Sequence, residues 1–340
     1  MSDKPIDLPD NRRSLFELLA PEASFVWVIV IYGLAISFLT LAVPIAVQSL
    51  INTIANIGSL RAVYVLATTL FLILLGYGVL SALRIWVVER YERHVYARLT
   101  AEMGIRVLQA PADFFRANEN HGLTHRYFDI LIFQKNVPAL VADGFALVLQ
   151  MLVGFTLVSF YHPWLFLFNA LTLASVWLIW RIWSGGALRT AIQLSRDKHG
   201  AGKWLGDLEM DQSEYHRSPQ GRETVAQNTN NVTENYIRSH RRHFQYTFAQ
   251  TLMFLLLYAF GSSALLALGG WLVNAGELSI GQLVAAELIM ATILLGLSRF
   301  SVFLKYYYEL CGAADKVTEV LTIPQEPETV GTTDGGTSNE

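Results

Sequence analysis

Three observations predict an all-α membrane protein with six membrane-spanning helices. The 340 residues are 53% hydrophobic and 16% charged, with a mean hydropathy of +0.36, where a soluble domain carries roughly a quarter charged residues. The apolar residues fall in blocks at least as long as the about 20 residues that a bilayer requires, near 25–54, 62–88, 140–161, 163–183, 246–273 and 278–303. Lysine and arginine alternate between connections. Of the 25, all but Arg61 lie in the N-terminal segment, in 84–138, in 181–248 or after 298. The excess of positive charge on cytosolic loops places both termini in the cytosol.

Taken in order, residues 1–23 are a cytosolic N-terminal segment. "MSDKPIDLPDNRR" mixes acids with bases, and the apolar run from Phe25 is too long for a cleaved leader. Val88, Tyr91, Val95, Leu99 and Met103 then recur at spacings of three and four, so the second helix continues past the membrane as an amphipathic rod. It is expected to turn back at "APADFFRANENHG", where Pro111, Asn and Gly supply turn chemistry. The third and fourth spans come from one long apolar block divided at "YHPW", with Tyr161 and Trp164 as interfacial rings. A second projecting hairpin reverses at "YHRSPQG" around Pro219. It returns through Tyr236, His240, Phe244 and Phe248, again at helical spacing. "NAGELSIG" is the short turn between the fifth and sixth spans. Residues 322–340 are acidic and rich in Gly and Thr, too polar to bury a core; the spanning domain is therefore 24–321.

Glu287 is the one carboxylate in the sixth apolar block, where a charge costs a few kcal/mol or more. At about 1.5 Å per residue it lies roughly 12 Å inside the membrane. The same arithmetic brings Gln48, Thr68, Thr69, Gln150, Asn169 and Ser262–Ser263 to a similar depth. Two readings stand: a polar lining for a translocation path, or hydrogen-bonded adhesion between spans. "RSHRRH" (Arg238–His243) is expected to anchor at lipid headgroups, with an entrance funnel for anionic or amphiphilic cargo as the alternative.

Other chemistries find little support. A single cysteine, Cys311, leaves no internal disulfide and no multi-cysteine zinc site. His121 with His125, and His240 with His243, are spaced as in histidine-box metalloenzymes, but the eight histidines include no adjacent pair; no metal or other cofactor is expected. "HGAGKW" (His199–Trp204) is no phosphate loop, because Asp197 stands where the first glycine belongs and Trp204 where the hydroxyl belongs. A net charge of −3 without a basic tract gives no sign of nucleic-acid binding.

Six spans, long cytosolic hairpins and tight outer turns together resemble the transmembrane domain of ABC exporters. "LQAPADFFRANENHGLTHRYFDILIFQKNVPALV" is similar to the family's first intracellular hairpin, with Phe114 and Phe115 ahead of Gly122 and Arg126. The Gly269–Ser298 stretch resembles the turn between the fifth and sixth spans, and "GAADKVTEVL" the segment leading toward the ATPase. The resemblance covers roughly Phe25 to Leu321. It implies a permease subunit that couples to a separately encoded ATP-binding cassette, with ATP and Mg²⁺ held only by that partner. It further implies pairing with a second copy or a sister subunit, an exported cargo, and residence in a bacterial inner membrane. Phe114, Phe115, Gly122, Arg126, Tyr215 and Gly221 would then serve coupling to the ATPase; Gln48, Gln150, Asn169 and Glu287 would serve the path. An ATPase-free scaffold or receptor on the same fold is the alternative.

Overall fold

The computed structural model describes residues 23–56, 60–111, 127–210, 212–216 and 218–321. They form ten α-helices and one π-helical segment, with no strand among the described residues. Six helical stretches are long and apolar enough to cross a membrane: Ala23–Ile54, Leu60–Leu108, Asp129–Ser159, Pro163–Met210, Pro219–Asn274 and Ile280–Ala314.

The first span is two helices, α1 (Ala23–Thr40) and α2 (Ala42–Asn56). Pro44 explains the break. It has no N–H to offer the Thr40 carbonyl four residues back, and its ring crowds that carbonyl. The chain compensates with a tighter bond at the break, Leu41 N–H to Phe38 O at 3.2 Å, and resumes with Ile45 N–H to Leu41 O at 3.1 Å.

The second span, α3 (Leu60–Leu108), has 49 residues; the fourth, α6 (Pro163–Met210), has 48; the fifth, α8 (Pro219–Asn274), has 56. Each is more than twice the about 20 residues a bilayer needs, so all three continue well outside it at one end of the bundle. There α3 buries Tyr91, Val95, Leu99 and Met103, four of the five positions of the expected stripe. They share a core with Phe133, Leu188, Ile192 and Tyr308. A second core at membrane level gathers Met151, Phe155, Leu265, Leu272, Ile289, Met290 and Ile293.

The third span is α4 (Tyr127–Pro138), a π-helical segment (Ala139–Gly144) and α5 (Phe145–Ser159). The widened segment follows Pro138, another missing donor. Arg84 of α3 clamps it, donating from Nη1 to the Ala142 carbonyl at 2.9 Å with Nη2 3.4 Å from Asp143. The sixth span is α9 (Ile280–Ser298) and α10 (Phe300–Leu321). Gly144 of the π segment faces the Phe303 ring, so the interruptions in the third and sixth spans lie at one level.

The short turns are sharply built. Pro163 begins α6 at the first helical position, where its missing N–H costs nothing. After α8, Gly276 has φ +74. Its N–H bonds to Val273 O and that of Glu277 to Leu272 O, both at 3.0 Å, closing the helix through a left-handed glycine. Ser279 and Gln282 then cap α9 reciprocally: Gln282 N–H donates to Ser279 Oγ at 3.1 Å, and Ser279 N–H to Gln282 Oε1 at 2.9 Å. His162 Nε2 meets Glu277 at 2.9 Å, tying the two short turns together.

Small residues let the helices close on one another, as packing in lipid favours. Gly33 touches Ala146, Gly154 faces Ile289 and Ile293, Gly261 faces Leu294, Gly269 faces Leu283, and Gly186 lies under the Tyr246 ring. On α8 the stripe of Tyr236, His240, Phe244 and Phe248 is the outer face, not the buried one as it is on α3. Phe244 and Phe248 stack on each other but are 55% and 54% exposed, whereas Ser239, His243, Gln250 and Phe254 are buried. Apolarity marks burial in water; in lipid an aromatic stripe is as well placed facing outward.

Candidate functional site

The four path candidates, Gln48, Gln150, Asn169 and Glu287, are held in four different ways. No hydrogen bond joins any two of them. Gln48 accepts from the Tyr161 hydroxyl at 2.8 Å, fastening the first span to the turn before α6. Asn169 is buried, and its Nδ2 donates to Phe155 O at 3.0 Å and Ser159 Oγ at 2.8 Å. Such contacts join helices. Thr68 is exposed and donates to Tyr64 O of its own turn at 2.9 Å.

Glu287 sits on a stripe of α9 with Leu283, Met290 and Leu294. Leu283 packs on Gly269 and Leu294 on Gly261, so the stripe faces α8. One carboxylate oxygen, Oε2, is buried and lacks a hydrogen-bond partner. Gln150 differs again. It lines a crevice of about 230 Å³ at the first-span break, with Thr40 and Pro44 on one side and Leu288, Ile289 and Thr292 on the other. Depth arithmetic along each helix could not foresee this grouping of Gln150 with Thr40 and Thr292, because it fixes height and not the direction a side chain faces.

Of the expected coupling residues, Phe114, Phe115, Gly122 and Arg126 lie outside the described residues, as do His121 and His125. The second reversal is described. A short helix, α7 (Gln212–His216), precedes Ser218, which caps α8 by accepting from Gly221 N–H at 2.9 Å, with Pro219 at the first position. A Cβ on Gly221 would come within 2.5 Å of the Tyr215 carbonyl oxygen, so only glycine closes this turn. The half-buried Tyr215 meets Trp204 edge to face, ring centroids 6.3 Å apart.

Above the membrane level a chain of polar contacts knits the long helices together, and no sequence pattern announces it. His199 Nε2 lies 2.6 Å from the fully buried carboxylate of Asp129, with Lys198 at 3.5 Å. Asn136 donates to Glu309 at 2.8 Å, Ser195 to Gly312 O at 3.2 Å, and Ser239 hydrogen-bonds Asp197. His199, first residue of the string that failed as a phosphate loop, is thus a helix-to-helix contact. His243 pairs with Thr190 at 3.1 Å, and the His240 and Tyr236 rings meet at a tilt, centroids 5.9 Å apart.

This architecture, six apolar helices with three running far beyond the bilayer, is that of a transporter's membrane domain. The family model described as the ABC transporter transmembrane region matches residues 26–199, and the chain belongs to that family. It is an integral membrane protein and the membrane subunit of an ABC transporter. No curated protein matches the sequence.

Proposed function

We propose that the chain is the permease subunit of an ABC exporter, driven by an ATP-binding cassette supplied from outside these 340 residues. The observation that carries this reading is the length of α3, α6 and α8, at 49, 48 and 56 residues. A channel or receptor of the bilayer alone has no use for rigid rods that extend a second membrane thickness beyond it. An exporter does, because movement at a distant ATPase must be carried to the spans. Both termini and both reversals lie in the cytosol on this reading, following the Lys and Arg asymmetry. ATP and Mg²⁺ belong to the partner. Two membrane subunits, identical or sister, complete one pathway.

Among the path residues, Gln150 has the best position, since it faces an open crevice. Gln48 and Asn169 hold adjacent spans in register, and Glu287 is carried as an uncharged packing group against α8. The reversals at Ala112–His121 and Glu214–Gly221 receive the cassette. The test is reconstitution: with its cognate cassette in lipid vesicles, the chain is expected to confer lipid-dependent ATP hydrolysis. A stable monomer to which the cassette is indifferent would favour a receptor or scaffold instead.

A further inference from the structure

The crevice beside Gln150 does not stand alone. Also beside the first-span break, a groove of about 510 Å³ lies between α1–α2 and α5, walled by Phe38, Leu41, Ile45, Val153, Leu157 and Phe160. Leu41, at the break itself, is a wall of both. The break thus adjoins two neighbouring spaces that share Leu41: a wide apolar groove, and a narrower crevice with an amide at its side, Gln150 lying on the same stripe of α5 as Val153, Leu157 and Phe160. Their combination of size, apolar walls and few polar groups is that of a ligand site.

Counting donors and acceptors narrows the ligand. A hydroxyl has one proton to give and two lone-pair sites. Thr40 already donates to Ser37 O at 2.7 Å, Thr292 to Leu288 O at 2.9 Å, and Thr156, in the groove, to Leu152 O at 2.7 Å. Each retains only acceptor capacity. The Gln150 side chain has no hydrogen-bond partner among the described residues, so its amide supplies a further acceptor and, among the described residues lining the crevice, the only side-chain donor. In a span an amide without partners costs free energy, and a ligand group that both gives and takes a proton removes that cost. Thr292 lies about 18 Å along α9 from its start, near the middle of a core of about 30 Å. A charged head is costly at that depth, and an anionic head would meet acceptors almost everywhere.

We propose that the crevice and groove form a binding site for a neutral single-chain amphiphile with a hydroxyl head. The hydroxyl pairs with Gln150 and the threonine oxygens, and the chain lies along α5 toward Phe160. The site requires only that the molecule bind, not that it be exported, so it goes beyond the transport reading and can fail separately from it.

The probe is decanol carrying a diazirine, photolysed with the full-length protein in lipid vesicles, and the labelled residues are mapped by mass spectrometry. Labelling is expected to concentrate on Phe38–Ile45 and on Leu152–Phe160. Gln150→Leu should weaken sub-saturating labelling about fivefold, the loss of roughly one hydrogen bond. Leu152→Trp, at a groove wall that is 48% exposed and so tolerant of bulk, should block it without disturbing the fold. Decanoate should compete at least fivefold more weakly than decanol. Labelling spread evenly over lipid-facing residues such as Trp27 and Phe71, and unchanged by Leu152→Trp, would overturn the proposal. So would decylammonium competing better than decanol, which would make the site cationic-selective. If labelling fails while cassette-driven transport persists, this inference alone falls.

Discussion

At the scale of residues, polar side chains of one depth do different work. Asn169 bridges Phe155 O and Ser159 Oγ. Asn169→Leu is expected to lower stability by about 1 kcal/mol, the usual worth of interhelical hydrogen bonds in membranes, measured as the midpoint of unfolding in mixed micelles. Glu287 faces α8 with a buried oxygen that has no partner, so Glu287→Gln, nearly isosteric, should cost no more than about 1 kcal/mol. Transport and its pH profile should be unchanged; a severalfold loss with a flattened profile would show that the carboxyl titrates in the path. The sequence revealed that these residues were unusual for a span and roughly how deep they lie. It could not reveal which way they point. Gln48 finds Tyr161 across 113 residues of chain and His199 finds Asp129 across 70; separations of this kind leave no local trace.

At the scale of elements, the spans were legible because the bilayer admits so few solutions: a backbone satisfied within each helix and a length matched to the membrane. The buried stripe of α3 was legible too, since it projects into water, where apolar spacing marks the inner face. On α8 the same rule misled. Where the helix approaches lipid, the aromatic stripe Phe244–Phe248 is exposed and the buried face carries Ser239, His243 and Gln250. Pro44 and Pro138 stand plainly in the sequence, but a proline inside an apolar block does not by itself tell a broken span from a π segment. In the sequence "NAGELSIG" is a short polar turn; in the structure its chemistry is sharper. Gly276→Ala forces a Cβ into the left-handed region at φ +74 and should cost about 1 kcal/mol. Ser279→Ala removes one half of the capping box and should cost a similar amount. Hydrogen exchange at the start of α9 would register both. At the other end, Gly221→Ala cannot keep the turn, since its Cβ meets the Tyr215 carbonyl oxygen at 2.5 Å. On the proposed function it should reduce coupled transport while the spans stay folded, as judged by unchanged circular dichroism and detergent gel filtration.

At the scale of the whole molecule, two cores divide the work. One holds the spans together around Met151, Phe155 and Met290; the other holds the projecting rods together around Tyr91, Phe133 and Tyr308. Between them the third and sixth spans are interrupted at one level, with Gly144 against Phe303 and Arg84 holding the π segment. On the proposed function, rods joined to spans through such a layer would carry movement at the cassette to the membrane. The most direct test is the ATPase rate of the cognate cassette, reconstituted in lipid vesicles with and without this chain. The proposed function predicts hydrolysis that rises severalfold in the chain's presence and falls back toward the level of the free cassette with Gly221→Ala. A rate indifferent to the chain, while the two co-purify, would contradict it.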